Sequence, residues 1–137
     1  MSVSAELITF DCYGTLVDWR SGIRDAFHEH VPASRATDPD ELFAAYAEAE
    51  KAIEARAYRP YRQVLRETAR DVADRFGWTL PEEGPGFLPD SLPSWPVFPD
   101  VGPALRRLAD AGLRLGIVSN VDDDLLAGSL RRLPVSI

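Results

Sequence analysis

The sequence predicts an α/β fold: a partial parallel sheet into which a helical cap lobe is inserted. Two short apolar runs, residues 7–11 and 113–120, end on polar residues and have the composition of buried strands. Residues 12–112 lie between them, carry helical periodicity and are far more numerous than one crossover needs. Because strands separated by helices usually pair in parallel, most of this intervening chain is predicted to form an inserted lobe.

The front of the chain predicts a strand followed by a helix. The first strand, residues 7–10, ends at Asp11, and a glycine-containing turn follows it. Asp18 and Ser21 both have the short polar side chain that suits an N-cap. A helix is therefore predicted over residues 21–30.

Two long helices are predicted over residues 38–57 and 60–77, because apolar side chains recur on one face of each. These positions are Leu42, Phe43, Tyr46, Ala49 and Ile53 in the first helix and Val64, Leu65, Thr68, Val72 and Phe76 in the second. Pro60 suits a first helical turn, and Gly77 suits a helix end. We expect both apolar faces to point inward.

A proline-rich segment, residues 81–99, holds six of the eleven prolines and is predicted to contain little helix or sheet. Its large apolar side chains indicate a stiff connector that lies on a hydrophobic surface. Beyond it, the pattern predicts a helix over residues 103–111, the second strand over 113–120 and a helix over 122–133.

These elements divide the chain into two predicted units. Residues 1–18 and 96–137 form a partial α/β core, and residues 19–95 form a helical cap insertion with a proline-rich return segment. In open parallel sheets, ligands bind at the carboxyl ends of the strands. Asp11 and residues 119–120 follow the two strands, so a site is predicted at that edge, covered by the inserted lobe.

Composition argues against several classes of partner. The net charge is −7, which disfavours nucleic acid and anionic membranes, since both need a basic face. Neither a membrane-spanning segment nor a signal peptide is expected from the hydropathy pattern. Cys12 is the only cysteine, so no internal disulfide can form, its thiol is predicted to be buried, and a cytoplasmic location is expected.

The segment FDCYGTLVDW, residues 10–19, resembles the first motif of the haloacid dehalogenase superfamily, and GIVSN, residues 116–120, resembles the second. The inserted helical lobe also fits this family, whose fold has a Rossmann-like parallel sheet. The phosphatases of the family carry a second aspartate two residues after the nucleophile. Tyr13 stands at that position here, as in the 2-haloacid dehalogenase-like branch, which this sequence resembles most.

The resemblance implies a hydrolase that acts on a small organic acid. Asp11 would be the nucleophile that attacks the halogenated carbon, and Thr15 would orient it. Tyr13 and Ser119 are implied to contact the substrate, Ser119 by holding its carboxylate, and Asn120 to surround the leaving group. Halide departs without a proton, so neither an acid at position 13 nor a metal or other cofactor is implied.

Two other functions remain open. A phosphatase-like relative would use Mg²⁺ at Asp11, although Tyr13 disfavours it, because a phosphate ester needs an acid to protonate its leaving group. A non-catalytic remnant would act by binding a partner through the open sheet edge, which could also mediate self-association. Helix capping explains the three consecutive aspartates at residues 122–124 better than a metal cluster does.

Two departures from the family pattern lower the expected activity. The arginine that cradles the halide in the dehalogenases would fall near Ala47, where no arginine stands. The family's later lysine and acid would follow the second strand, whereas the only lysine here is Lys51, in the predicted lobe. We therefore expect a chain that is truncated after the second motif, with an incomplete sheet and little activity.

Overall fold

The computed structural model describes residues 6–119 and 121–137, and it confirms the α/β fold class. Two strands, β1 (Leu7–Phe10) and β2 (Arg114–Ile117), are hydrogen-bonded in parallel as a two-stranded sheet. Their carboxyl ends therefore meet at the same edge of the sheet, as predicted, and Asp11 follows β1 at that edge.

Strand β2 is shorter than the predicted range 113–120. Its register pairs Phe10 with Ile117, and the backbone N–H of Val118 donates to the Phe10 carbonyl oxygen at 2.9 Å. The ladder stops there because the partner strand itself ends at Phe10. Asn120, which was predicted to belong to the site, lies outside the described residues.

Six α-helices occur within the described ranges. They are α1 (Trp19–His30), α2 (Pro39–Glu54), α3 (Tyr61–Phe76), α4 (Phe87–Ser91), α5 (Val101–Asp110) and α6 (Asp123–Leu130). Short 3-10 turns, Pro32–Ala36 and Leu92–Ser94, follow α1 and α4. No helix in these ranges has the length and apolarity needed to cross a membrane.

Two helix ends, the start of α1 and the end of α3, agree with capping residues predicted from sequence. The Asp18 carboxylate accepts hydrogen bonds from the backbone N–H of Ser21 at 3.2 Å and from its hydroxyl at 2.6 Å. This cap begins α1 at Trp19, two residues before the predicted start. Gly77 ends α3 in a left-handed conformation with φ of 70°, which a residue without Cβ adopts readily.

The prediction of little helix in residues 81–99 is wrong in one place. Residues Phe87–Ser91 form α4, with Pro89 as the third residue of the helix. The first N–H groups of a helix have no intrahelical acceptor, so a proline there removes no hydrogen bond. Phe87, Leu88 and Pro89 are buried, which fits the predicted packing of this segment on a hydrophobic surface.

The buried apolar side chains form two clusters. The larger joins the inward faces of α1, α2 and α3 to the segment around α4, and it also contains Trp95 and Leu125. The smaller consists of Leu16, Val101, Leu105 and Leu115, between the sheet and α5. Because Leu125 of α6 packs in the same cluster as the helical lobe, the lobe and the segment after β2 share one interior. The division of the chain into core and cap stays a prediction.

Candidate functional site

The loop after β1 holds Asp11 at the edge of the sheet. The carbonyl oxygen of Cys12 accepts hydrogen bonds from the backbone N–H groups of Thr15, Leu16 and Val17 at 3.2, 2.7 and 3.0 Å. Gly14 has φ of 92°, which lets the chain reverse within this loop without steric strain. The side chains of Cys12, Leu16 and Val17 are buried and anchor the loop. The tight turn therefore presents Asp11 to solvent.

Thr15 lies against the Asp11 carboxylate. Its hydroxyl Oγ1 donates to Asp11 Oδ2 at 3.5 Å, which is the long end of the hydrogen-bond range, and both residues are exposed. The structure thus brings together the two residues that the sequence assigned to catalysis. Among residues 6–119 and 121–137, Thr15 is the one side-chain donor to this carboxylate, and it contacts Oδ2 and not Oδ1.

A cavity of about 320 Å³ lies next to this edge, between the loop after β1 and the faces of α2 and α3. Tyr13 and Ser119, both predicted to contact the substrate, contribute to its wall, whereas Asp11 and Thr15 do not. Its other lining residues are Trp19, Ile23, Tyr46, Ala47, Glu50, Lys51, Glu54, Tyr61 and Trp95. Ala47, the position at which the family resemblance implied an arginine, presents only a methyl group. A larger cavity of about 690 Å³ shares none of these residues, so the smaller one is the candidate site.

Tyr13 is fixed by an aromatic and polar environment. Its ring stacks on Tyr61 with centroids 6.4 Å apart and meets Trp95 edge-on at 6.1 Å. Its hydroxyl lies 2.9 Å from Ser129 Oγ of α6. Burial raises the pKa of Tyr13 to about 12, although the hydrogen bond to Ser129 opposes the shift. The phenol therefore stays protonated at neutral pH and is engaged by Ser129.

The hydrogen bond between Tyr13 and Ser129 should contribute measurably to stability. We expect Tyr13→Phe to lower the free energy of unfolding by about 0.5–1.5 kcal/mol, because the buried Ser129 Oγ would keep only its longer hydrogen bond to the Leu125 carbonyl oxygen, at 3.5 Å, among the described residues. Urea denaturation measures the change. Tyr58→Phe is the matched control, since Tyr58 is 87% exposed. Equal stability of the two variants would contradict the role assigned to this contact.

Glu50 is a site residue that the sequence analysis missed. Its Oε2 accepts hydrogen bonds from the Tyr46 hydroxyl at 3.0 Å and the Tyr61 hydroxyl at 3.2 Å. Burial raises the pKa of the Glu50 carboxyl, and the hydrogen bond from Tyr46 opposes that shift. The spacing of Tyr46 and Glu50, four residues apart on one helix, was the available signal. Tyr61 comes from α3, so only the tertiary structure shows the pair of donors.

Asp122 caps a helix, but not the helix that the sequence predicted. It stands at the N-cap position of α6 without a side-chain hydrogen bond to that helix. Its carboxylate instead accepts from the backbone N–H groups of Tyr61 at 3.0 Å and Arg62 at 2.8 Å, at the start of α3. Pro60, which precedes α3, offers no capping side chain, so these N–H groups are available. The loop after β2 is thereby tied to the helical lobe.

The Arg62 side chain strengthens this connection. Its guanidinium forms an ion pair with Asp124 and lies 3.8 Å from an oxygen of Asp90. Within the described parts of the chain, no group of three or more His, Cys, Asp or Glu side chains is arranged to hold a metal ion. Asp122 and Asp124 are therefore both partners of α3.

Replacing Asp122 should loosen the start of α3. We expect Asp122→Ala to lower the free energy of unfolding by about 0.5–2 kcal/mol, the usual cost of losing a helix cap. Faster hydrogen exchange of the Tyr61 and Arg62 amides should accompany the loss. Asp123→Ala is the control, because Asp123 is exposed. Unchanged exchange at both amides would rule out this cap.

Comparison with known proteins identifies relatives of the whole described fold. A model of the haloacid dehalogenase-like hydrolases matches residues 5–135. Among solved structures, the L-2-haloacid dehalogenase PA0810 is 24% identical with a TM-score of 0.78, over 97% of this chain and 60% of that one. The L-2-haloacid dehalogenase RSc1362 is 23% identical with a TM-score of 0.76, over 98% and 61%.

A third solved relative, the L-2-haloacid dehalogenase from Xanthobacter autotrophicus, is 22% identical with a TM-score of 0.72. The match covers 93% of this chain and 51% of that one. The chain therefore spans between about half and three fifths of the length of these three relatives. No curated protein adds a match to this comparison. The structural similarities establish the shared fold.

Proposed function

We propose that this chain, which belongs to the haloacid dehalogenase-like hydrolase family, uses Asp11 as a nucleophile against a small halogenated organic acid. The observation that carries the proposal is the position of Asp11, at the carboxyl end of β1 with the Thr15 hydroxyl on its carboxylate. In parallel sheets, that edge is where ligands bind. The adjoining cavity, lined by Tyr13 and Ser119, supplies room for a small substrate.

The proposed reaction has two steps. An Asp11 carboxylate oxygen attacks the carbon that bears the halogen, the carbon–halogen bond breaks, and its electron pair leaves with the halide. The resulting ester links Asp11 to the substrate, and water then cleaves it to release the hydroxy acid and restore the carboxylate. Thr15 would hold the attacking carboxylate in one orientation. Ser119 would bind the substrate carboxylate, and Asn120 would lie near the departing halide.

The surroundings of Tyr13 favour halide over phosphate as the leaving group. A halide ion departs without a proton, whereas the alcohol of a phosphate ester needs a general acid. The Tyr13 hydroxyl is held by Ser129, and its pKa is raised to about 12 by burial. Such a phenol is a weak acid for protonating a leaving group. The proposed dehalogenation therefore needs neither this proton nor a metal ion.

The relatives support the substrate class by analogy. The three solved neighbours described above are named L-2-haloacid dehalogenases, and a further structure of the Xanthobacter autotrophicus enzyme carries covalently bound chloropropionic acid. For this chain we propose the same chemical class, a short acid with a halogen next to the carboxylate. We propose that hydrolysis of this ester is slower than its formation, so that the ester accumulates.

Parallel assays of halide and phosphate release test the proposal. The purified chain is incubated with 2-chloropropionate, and separately with a phosphate monoester with and without Mg²⁺. We expect a burst of about one chloride per chain followed by slow turnover, which is the kinetic signature of an accumulating covalent intermediate. Phosphate release with no chloride release would favour a phosphatase instead. Release of neither ion would leave a binding function.

A further inference from the structure

We propose that the cavity beside the sheet edge contains a subsite for a primary ammonium group of the substrate, formed by Glu50 and the aromatic side chains around it. The inference rests on the proposed function, since it names the class of organic acid that the same cavity would take. It predicts a substrate with a carboxylate at the Ser119 end and an ammonium group at the α2 end.

Two tyrosine hydroxyls hold the Glu50 side chain in one orientation. Both of its described hydrogen bonds, from the hydroxyls of Tyr46 and Tyr61, go to Oε2. Oε1 accepts none from residues 6–119 or 121–137, and Glu50 lines the cavity. Two phenol donors on one oxygen stabilise the carboxylate form of the side chain, although burial still raises the pKa of Glu50 above its ordinary value. The second oxygen is therefore an acceptor available to a donor within the cavity.

The wall of the cavity carries a net negative charge. Glu50, Glu54 and Lys51 are its three charged lining residues, which gives one net negative charge. A halide or a second carboxylate placed against this wall would face that charge at close range. A cation is favoured there, and an ammonium group offers three N–H donors to carboxylate oxygens.

The wall of the cavity is also rich in aromatic side chains. Five aromatic side chains line the cavity: Tyr13, Trp19, Tyr46, Tyr61 and Trp95. Faces of aromatic rings attract an ammonium ion through the ring quadrupole, and the attraction grows when the cation is shielded from water. A wall with aromatic rings and an oriented carboxylate is suited to an ammonium ion. A wholly apolar ligand would leave the carboxylate without a partner.

A matched pair of unreactive ligands tests the subsite. Butanoate and 4-aminobutanoate differ only in the terminal ammonium group, and binding of each is followed by the fluorescence of Trp19 and Trp95, which line the cavity. We expect 4-aminobutanoate to bind about tenfold more tightly, since a hydrogen bond to a charged group contributes roughly this factor. In Glu50→Gln the ratio should fall to about one.

Glu50→Gln keeps the shape of the side chain, and its amide oxygen still accepts from Tyr46 and Tyr61. Glu48→Gln is the control on the same helix, because Glu48 pairs with Arg75 outside the cavity, and it should retain the tenfold ratio. The subsite is overturned by equal binding of the two ligands, by binding of neither at millimolar concentration, or by a preference that survives Glu50→Gln.

The test of the ammonium subsite and the test of the proposed reaction can fail independently of each other. An ester on Asp11 after incubation with 2-chloropropionate, together with no preference for 4-aminobutanoate, would retain the nucleophile and reject the subsite. A preference that depends on Glu50, together with no ester on Asp11, would retain the subsite and reject the reaction.

Discussion

Asp11→Asn is expected to abolish the burst of chloride that the chain releases from 2-chloropropionate. The amide has no anionic oxygen to attack carbon, so the ester cannot form, and the rate should fall by at least about 10³-fold, as when other covalent nucleophiles are removed. The substitution is nearly isosteric. Asp11 is exposed, and Thr15 can still donate to an amide oxygen at that position, so the fold should be unchanged.

The matched control for this prediction is Asp25→Asn. Asp25 is an exposed aspartate of α1 whose one ion pair within the described part of the chain is with its neighbour Arg24, and its loss should leave chloride release intact. Chloride measured by ion chromatography after rapid mixing gives the burst amplitude for each variant. A full burst from the Asp11 variant would show that another group attacks the substrate.

Gly22→Ala is expected to be the most destabilising small substitution in the helical lobe. A Cβ at position 22 would clash with Cγ of Trp95 and would lie within 2.7 Å of two more ring atoms. Trp95 is 2% exposed and packs in the larger cluster, so its ring has little room to move. Overpacking of this kind costs about 1–3 kcal/mol or more of the free energy of unfolding.

Gly102→Ala separates this clash from a general effect of replacing glycine. Gly102 also lies in a helix, α5, but the one described neighbour within 4 Å of a Cβ there would be Pro134, at 3.8 Å. The change should be neutral or stabilise the protein by about 0.5–1 kcal/mol, because alanine has the higher helix propensity. Urea denaturation of both variants measures the difference. A Gly22→Ala protein as stable as the wild type would mean that α1 does not pack on Trp95 as described.

Most of the fold was predictable because its elements have strong local signals. The apolar stripe of α3 is buried at Val64, Leu65 and Val72, and periodicity alone predicted it. The features that were not predicted are determined by contacts with other parts of the structure. The end of β2 at Ile117 is set by the length of its partner strand, and α4 forms where burial of Phe87 and Leu88 overrides a proline-rich sequence.

The residues of the candidate site also differ in whether their signal is local in sequence or depends on the tertiary structure. Asp11 and Thr15 were found from a short motif, because the turn that joins them is local. Their catalytic roles stay predictions, as do those of Tyr13, Ser119 and Asn120. Glu50 was missed because its second phenol donor, Tyr61, comes from another helix. The partner of Asp122 was misassigned for the same reason, since the nearest helix in sequence is not the one that it caps.

The most direct test of the proposed nucleophile is to locate the covalent intermediate. The chain is incubated with 2-chloropropionate, quenched in acid, digested and mapped by mass spectrometry. We expect an ester on the Asp11 side chain, found on the peptide that contains it, and no ester in Asp11→Asn. An adduct on a different residue, such as the buried Cys12, whose pKa is raised to about 11 by burial, or chloride release without any adduct, would contradict it.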